Sequence, residues 1–156
     1  VFPLAASTTA SKPKISEEPT DSPKLKILVV DDEPMLRMVV QEMLESEGHA
    51  VEVAPGGPKA STLIEQRYKS GEPFDVVVSD IEMPVLNGRM LADFIEIESP
   101  ETEVILMTGW ADSRIDVDTI STRVVGVLSK LPRLADISAL MAVVARNIAP
   151  VLPNDS

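Results

Sequence analysis

Asp80 lies at the mouth of the apolar run Val76-Val77-Val78, in the stretch Ser79-Asp80-Ile81-Glu82-Met83-Pro84-Val85-Leu86-Asn87-Gly88. An open α/β sheet gathers its chemistry where buried strands open into constrained loops. By itself Asp80 reads as a nucleophile, a metal ligand or a turn cap. Three further runs end in polar side chains: Asp31-Asp32 after Lys26–Val30, Thr108 after Glu103–Met107, and Lys130 close behind Val124–Leu128. If the four runs are parallel strands, their C-terminal ends share one edge and these residues meet there. Three carboxylates in one crevice repel unless a cation sits among them. Hard oxygen donors and this charge suit Mg²⁺. Lys130 adds a second positive charge and Thr108 a hydroxyl donor, a set that fits a transferring phosphoryl group with Asp80 as the attacking carboxylate. Each piece alone has a plainer reading. Asp31 and Asp32 before Glu33-Pro34 read as helix caps, Thr108-Gly109 as the end of a strand, and a lone lysine as solvated. Their coincidence at four strand ends carries the functional reading.

The elements that must position them follow from hydrophobic periodicity. A short, continuous apolar run predicts a strand buried on both faces over 26–30, and further strands follow over 49–54, 75–79, 103–107 and 124–128. Helical spacing predicts helices over 35–47 (Leu36, Val40, Met43, Leu44), about 58–69 (Ala60, Leu63, Ile64), about 89–98 (Met90, Leu91, Phe94, Ile95), 112–121, and about 133–147 (Leu134, Ile137, Leu140, Met141, Val144). Pro34 after an acidic pair starts the first helix and Gly48 ends it. Strands alternating with helices predict an α/β domain over 25–150 with a five-stranded parallel sheet, doubly wound, helices on both faces.

Outside that region, residues 6–24 have the Ser/Thr/Pro and mixed-charge composition of a linker. Residues 1–24 thus read as a linker or the tail end of a preceding domain, and 151–156 as a disordered tail. The 156 residues are 44% hydrophobic, enough for a real core. There are no cysteines, which excludes disulfides and thiolate metal sites and is compatible with a reducing, cytoplasmic setting. A formal net charge of −11 argues against direct nucleic-acid binding. No apolar run approaches the roughly 20 residues that span a bilayer, so no membrane contact by this domain is expected.

These residues resemble the receiver domain of two-component response regulators. The matching positions are Asp31-Asp32, the pattern Asp80-x-x-Met83-Pro84-x-x-x-Gly88, Thr108-Gly109, and Lys130 followed closely by Pro132. The resemblance covers about 25–148 and implies a flavodoxin-like receiver fold. It implies that Asp80 accepts a phosphoryl group from a histidine kinase or a histidine phosphotransfer protein, in a reaction the domain itself catalyses. Asp32, Asp80 and the backbone carbonyl of Glu82 would hold Mg²⁺, with Asp31 acting through water. Lys130 would pair with a phosphoryl oxygen, and Thr108 would be drawn toward it. With a linker ahead, and with Val1–Ala5 resembling the closing strand of a kinase ATP-binding domain, the chain is expected to be the C-terminal receiver of a hybrid histidine kinase.

Two positions depart from the family pattern. Val127 stands where a Tyr or Phe usually moves with the threonine, and Leu131 stands where a proline, often cis, usually follows the lysine. Neither touches the phosphoryl chemistry, and both bear on switching. A receiver that serves only as a docking module is the alternative, and a flavin protein of the same fold class lacks the phosphate cradle it needs. Leu36 and Val40 claim the inner face of the first helix, which turns Met35 and Met38 outward beside the crevice as a candidate docking surface. The other methionines follow core periods, His49 reads as structural, and Trp110 is expected near the crevice rim.

Overall fold

The computed structural model describes residues 24–109 and 124–148. Five strands form one parallel sheet: β1 (Lys26–Val30), β2 (Ala50–Ala54), β3 (Val76–Asp80), β4 (Glu103–Thr108) and β5 (Val124–Ser129), in the spatial order β2-β1-β3-β4-β5. Four helices lie among the described residues: α1 (Pro34–Ser46), α2 (Gly57–Lys69) and α3 (Gly88–Glu98) between strands, and α4 (Leu134–Ile148) after β5. The expected helix over 112–121 and Trp110 lie outside the described residues, as do 1–23 and 149–156.

The continuous apolar runs make sense because successive side chains of a strand point to opposite faces. Ile27, Val29, Val76, Val78, Ile105 and Met107 face Leu36, Val40 and Leu44 of α1 and Ile137, Met141 and Val144 of α4. Leu28, Val30, Val77, Val104 and Leu106 face Ala60 and Ile64 of α2 and Leu91, Ala92 and Ile95 of α3. Both faces of β1, β3 and β4 are covered, so polar alternation in them would have been destabilising, whereas the edge strands β2 and β5 are partly exposed.

Register aligns the strand ends. Val30 pairs with Ala54 and Ser79, Asp80 with Met107, and Thr108 with Ser129. A shift between Val104 and Ile105 accommodates one extra residue in β5, so Thr108 and Ser129 still finish together.

Two expected core residues are exposed instead. Met90 is 45% exposed, because Leu91, Ala92 and Ile95 take the inward stripe of α3. Leu134 is 44% exposed, since it opens α4 one turn ahead of Ile137, the first residue of that helix to reach the core. His49 is buried, and its Nδ1 accepts a hydrogen bond from the Leu25 N–H at 3.1 Å, as a structural histidine should.

Candidate phosphoryl-transfer site

The site is built where β1, β3, β4 and β5 end. Asp31 extends the ladder past β1, its N–H donating to the Ala54 carbonyl at 3.2 Å. Its Oδ1 accepts the Glu33 N–H at 2.8 Å, a local turn that lets Pro34 start α1. Arg37, one turn into α1, reaches back so that its Nη1 donates to the Asp31 carbonyl at 2.7 Å.

Asp80 is 1% exposed, yet both its oxygens are engaged. Oδ2 accepts from Lys130 Nζ at 2.7 Å, and Oδ1 accepts the Glu82 N–H at 3.1 Å. Lys130 is held from its backbone as well, its N–H donating to the Thr108 carbonyl at 2.7 Å. Carboxylate oxygens of Asp31, Asp32 and Asp80 lie within 4.8 Å of one another.

Asp31 is fully buried, and its Oδ2 has no hydrogen-bond partner. Such an atom costs free energy unless something binds it. Burial pushes the Asp31 carboxyl above its usual range; the Glu33 N–H pulls it back and the neighbouring charge of Asp80 pushes it further up. Burial works against the charge on Lys130, but the hydrogen bond to Asp80 and the charges of Asp31, Asp80 and Asp32 outweigh it, so its pKa stands above the ordinary lysine value. One ammonium thus faces three carboxylates. An oxygen-only donor set, short of positive charge and with a buried orphan oxygen, fits a hard divalent cation.

The loop from Ile81 to Asn87 is folded tightly. Gly88 N–H donates to the Ile81 carbonyl at 2.9 Å, and Asn87 caps α3 by accepting the Met90 N–H at 2.9 Å. A Cβ on Gly88 would lie 2.6 Å from the Asp80 carbonyl oxygen, so only glycine lets α3 begin this close behind the acceptor. Val85 has φ 72°, and the Leu86 N–H donates to the Pro84 carbonyl at 2.8 Å, a γ-turn of the rare positive-φ kind. Leu131 has φ 54°, and no peptide bond among the described residues is cis. The loop after Lys130 therefore turns through a left-handed residue rather than a cis bond.

Of the residues singled out from sequence, Asp31, Asp32, Asp80 and Lys130 converge through their side chains. Thr108 is tied to Lys130 through its backbone, and Glu82 to Asp80 through its N–H. Met35 and Met38, 65% and 50% exposed, line a groove on α1 with Pro34, Arg37, Gln41 and Val53, outside the acidic crevice. Sequence reasoning missed Arg37, although it is the one basic residue of α1 and follows Asp31 by six positions. It also missed the closeness of Gly57 to the loop: a Cβ there would sit 2.3 Å from the Leu86 carbonyl oxygen.

A doubly wound sheet with three carboxylates and a lysine at its C-terminal edge defines a phosphoryl-accepting class of α/β domain. The sequence pattern of the response regulator receiver domain matches residues 27–142, and the chain belongs to that family, the receiver domains of two-component systems. It is 34% identical over 104 residues to the sensor kinase CckA of Brucella abortus, covering 66% of this chain and 11% of that protein. It is 25% identical over 127 residues to the osmosensing histidine protein kinase SLN1 of Saccharomyces cerevisiae, covering 80% of this chain and 10% of that one. The chain thus spans about a tenth of the length of these relatives. Among solved structures, the response regulator protein TrrA of Thermotoga maritima, in complex with Mg²⁺-BeF, superposes with a TM-score of 0.64 at 29% identity, covering 77% of this chain and 98% of that one. No helix among the described residues is long and apolar enough to cross a membrane.

Proposed function

We propose that Asp80 is the phosphoacceptor of a phosphorelay, taking a phosphoryl group from the phosphohistidine of a histidine kinase or a histidine phosphotransfer protein. One observation carries this reading: the Asp80 carboxylate is buried among Asp31, Asp32 and Lys130, with the Asp31 Oδ2 left without a partner. In the reaction an Asp80 oxygen attacks phosphorus. The P–N bond to the donor imidazole breaks with its electron pair on nitrogen, leaving an aspartyl phosphate. Lys130 follows the negative charge, moving from Asp80 Oδ2 to a phosphoryl oxygen, and the Thr108 hydroxyl donates to another.

Asp32, Asp80 and the Glu82 carbonyl, with Asp31 through water, would hold Mg²⁺. Bound there, it neutralises the carboxylates and the phosphoryl oxygens. The Mg²⁺-BeF complex of TrrA, at 29% identity, supports Mg²⁺ as the ion. The domain is taken to span 25–150 and to act in the cytoplasm, and the kinases among its relatives support a receiver attached to a hybrid histidine kinase. Exposed Met35 and Met38, beside the crevice, are the proposed docking contacts for the donor.

The test is intact mass after incubation with acetyl phosphate, with and without Mg²⁺, for wild type and Asp80→Asn. The expected result is a Mg²⁺-dependent gain of one phosphoryl group that is lost in the variant. An unchanged wild-type mass with both acetyl phosphate and purified phosphotransfer proteins would overturn the reading.

A further inference from the structure

The turn that carries Asp31 and Asp32 must join a buried strand to a helix within three residues, and it does so without the usual restraint. Glu33 occupies the N-cap of α1 and makes no side-chain hydrogen bond to the first turn. Instead the α1 side chain of Arg37 grips the turn from behind, through the Asp31 carbonyl at 2.7 Å. With the Asp31 N–H on Ala54 and Oδ1 on the Glu33 N–H, three of the four polar atoms of Asp31 are fixed. The fourth, Oδ2, is the buried atom with no partner in the acidic cluster.

We propose that Arg37 is a positioning residue for the cation site: by holding the Asp31 carbonyl it aims Asp31 Oδ2 and the Asp32 carboxylate at the space between them and Asp80. This rests on the reading of the crevice as a Mg²⁺ site. Arg37 meets the turn at a neutral carbonyl, so its role is geometric, whereas its charge acts the other way. A guanidinium bound to the turn that carries Asp31 and Asp32 adds positive charge there, which by itself lowers the attraction these carboxylates exert on a cation. The two effects predict opposite signs on removal. Charge alone makes Mg²⁺ bind more tightly once Arg37 is neutralised; loss of positioning makes it bind more weakly. Partners that orient metal ligands typically change the affinity 10–100-fold. Arg37 acts through the backbone that carries both Asp31 and the ligand Asp32, so the lower end of that range is expected, still large enough for geometry to win.

The experiment is calorimetric titration of the full chain with MgCl₂, for wild type, Arg37→Met and Arg37→Lys, below their unfolding temperatures and with matched circular dichroism. The expected result is a Kd about tenfold weaker for Arg37→Met, with Arg37→Lys, which keeps one donor, between it and wild type. A Kd unchanged or tighter in Arg37→Met overturns the proposal, even if its unfolding midpoint falls, since a merely structural tie would do that. Should Arg37→Met not fold, Arg37→Gln is read by the same criterion. No Mg²⁺ binding by wild type would instead sink the cation site itself, and this proposal with it.

Discussion

Lys130 Nζ and Asp80 Oδ2 lie 2.7 Å apart although fifty positions separate the residues, and the pair joins β5 to β3 across the end of β4. The lysine side chain is 25% exposed and the aspartate 1%, so the aspartate depends on the pair more than the lysine does. Lys130→Met would leave Asp80 buried beside two other carboxylates with no cation. Removing one member of a buried pair costs about 3–5 kcal/mol, and the partial exposure of Lys130 reduces this to about 1–3 kcal/mol. The loss should be measurable by urea denaturation without divalent ions. Added Mg²⁺ should restore more stability to the variant than to wild type, because it replaces the missing charge. Phosphorylation from acetyl phosphate should fall in the variant even with Mg²⁺ bound.

Asp31 sets function against stability. Its Oδ2 is buried with no partner, and burial already disfavours its charged form. Asp31→Asn removes a charge from a crowded cluster and keeps an oxygen for the Glu33 N–H. Without divalent ions the variant should be more stable than wild type in a thermal melt. Its Mg²⁺ affinity should fall by about tenfold or more. A variant less stable than wild type in metal-free buffer would show that the cluster is not under electrostatic strain.

His49 gives a pH dependence with a definite sign. Burial lowers its pKa below the ordinary 6.5, against the opposing charges of Glu47 and Asp75. Its Nδ1 also accepts the Leu25 N–H, a bond that protonation of that nitrogen would break. The unfolded chain therefore binds the proton more tightly than the folded one. Stability from this group is complete above about pH 6.5 and declines as pH falls from there toward the lower folded-state pKa. Comparing wild type with His49→Gln in urea between pH 5 and 8 should show the difference between them changing only below that point. Parallel curves would refute it.

Among the described residues the strand-and-helix order was legible because buried faces repeat at their own periods: the short β-branched run Val76-Val77-Val78 fits a doubly covered strand, and Leu36, Val40 and Leu44 mark one side of a helix. The convergence of Asp31, Asp32, Asp80 and Lys130 was legible for a related reason, since parallel strands bring their ends to one edge. What the pattern could not show is anything decided by contacts distant in sequence. Arg37 on the Asp31 carbonyl and Gly57 against Leu86 are such contacts. Met90 was misplaced because its neighbour Leu91 competes for the same inward stripe, and periodicity alone does not rank the two. At Leu131, where the family usually carries a proline, the chain takes another course, a positive φ, which the residue type alone does not announce.

That course has a testable cost. Leu131 at φ 54° and Val85 at φ 72° both hold side chains in a region that disfavours them by about 1–2 kcal/mol. Both are exposed, at 71% and 84%, so little packing offsets the strain. Glycine relieves it but loses more backbone entropy, by up to about 1 kcal/mol. Leu131→Gly and Val85→Gly should each be neutral to about 1 kcal/mol stabilising in urea denaturation. Leu131→Pro, despite matching the family pattern, fixes φ near −65° and is incompatible with this turn. It should destabilise the domain and slow phosphorylation by displacing Lys130, and wild-type stability and rate in Leu131→Pro would refute this.

Gly57 tests how far the loop behind Asp80 tolerates displacement. A Cβ there would lie 2.3 Å from the Leu86 carbonyl oxygen and 2.5 Å from the Leu86 Cβ, distances no packed structure keeps. Part of the obstacle is backbone, so no rotamer change can relieve it. Either α2 moves off the sheet, or the loop from Ile81 to Asn87 shifts, and with it the Glu82 N–H that holds Asp80 Oδ1. Overpacking of this kind costs about 1–3 kcal/mol, which Gly57→Ala should show as a lowered unfolding midpoint. If the loop is what yields, Mg²⁺ affinity and the rate of phosphorylation fall together with stability. If α2 yields instead, stability falls alone. Measuring Mg²⁺ binding and urea denaturation on the same preparation separates the two, and the first outcome is expected. The loop is the softer element, being already strained at Val85, whereas α2 is anchored in the core by Ala60 and Ile64.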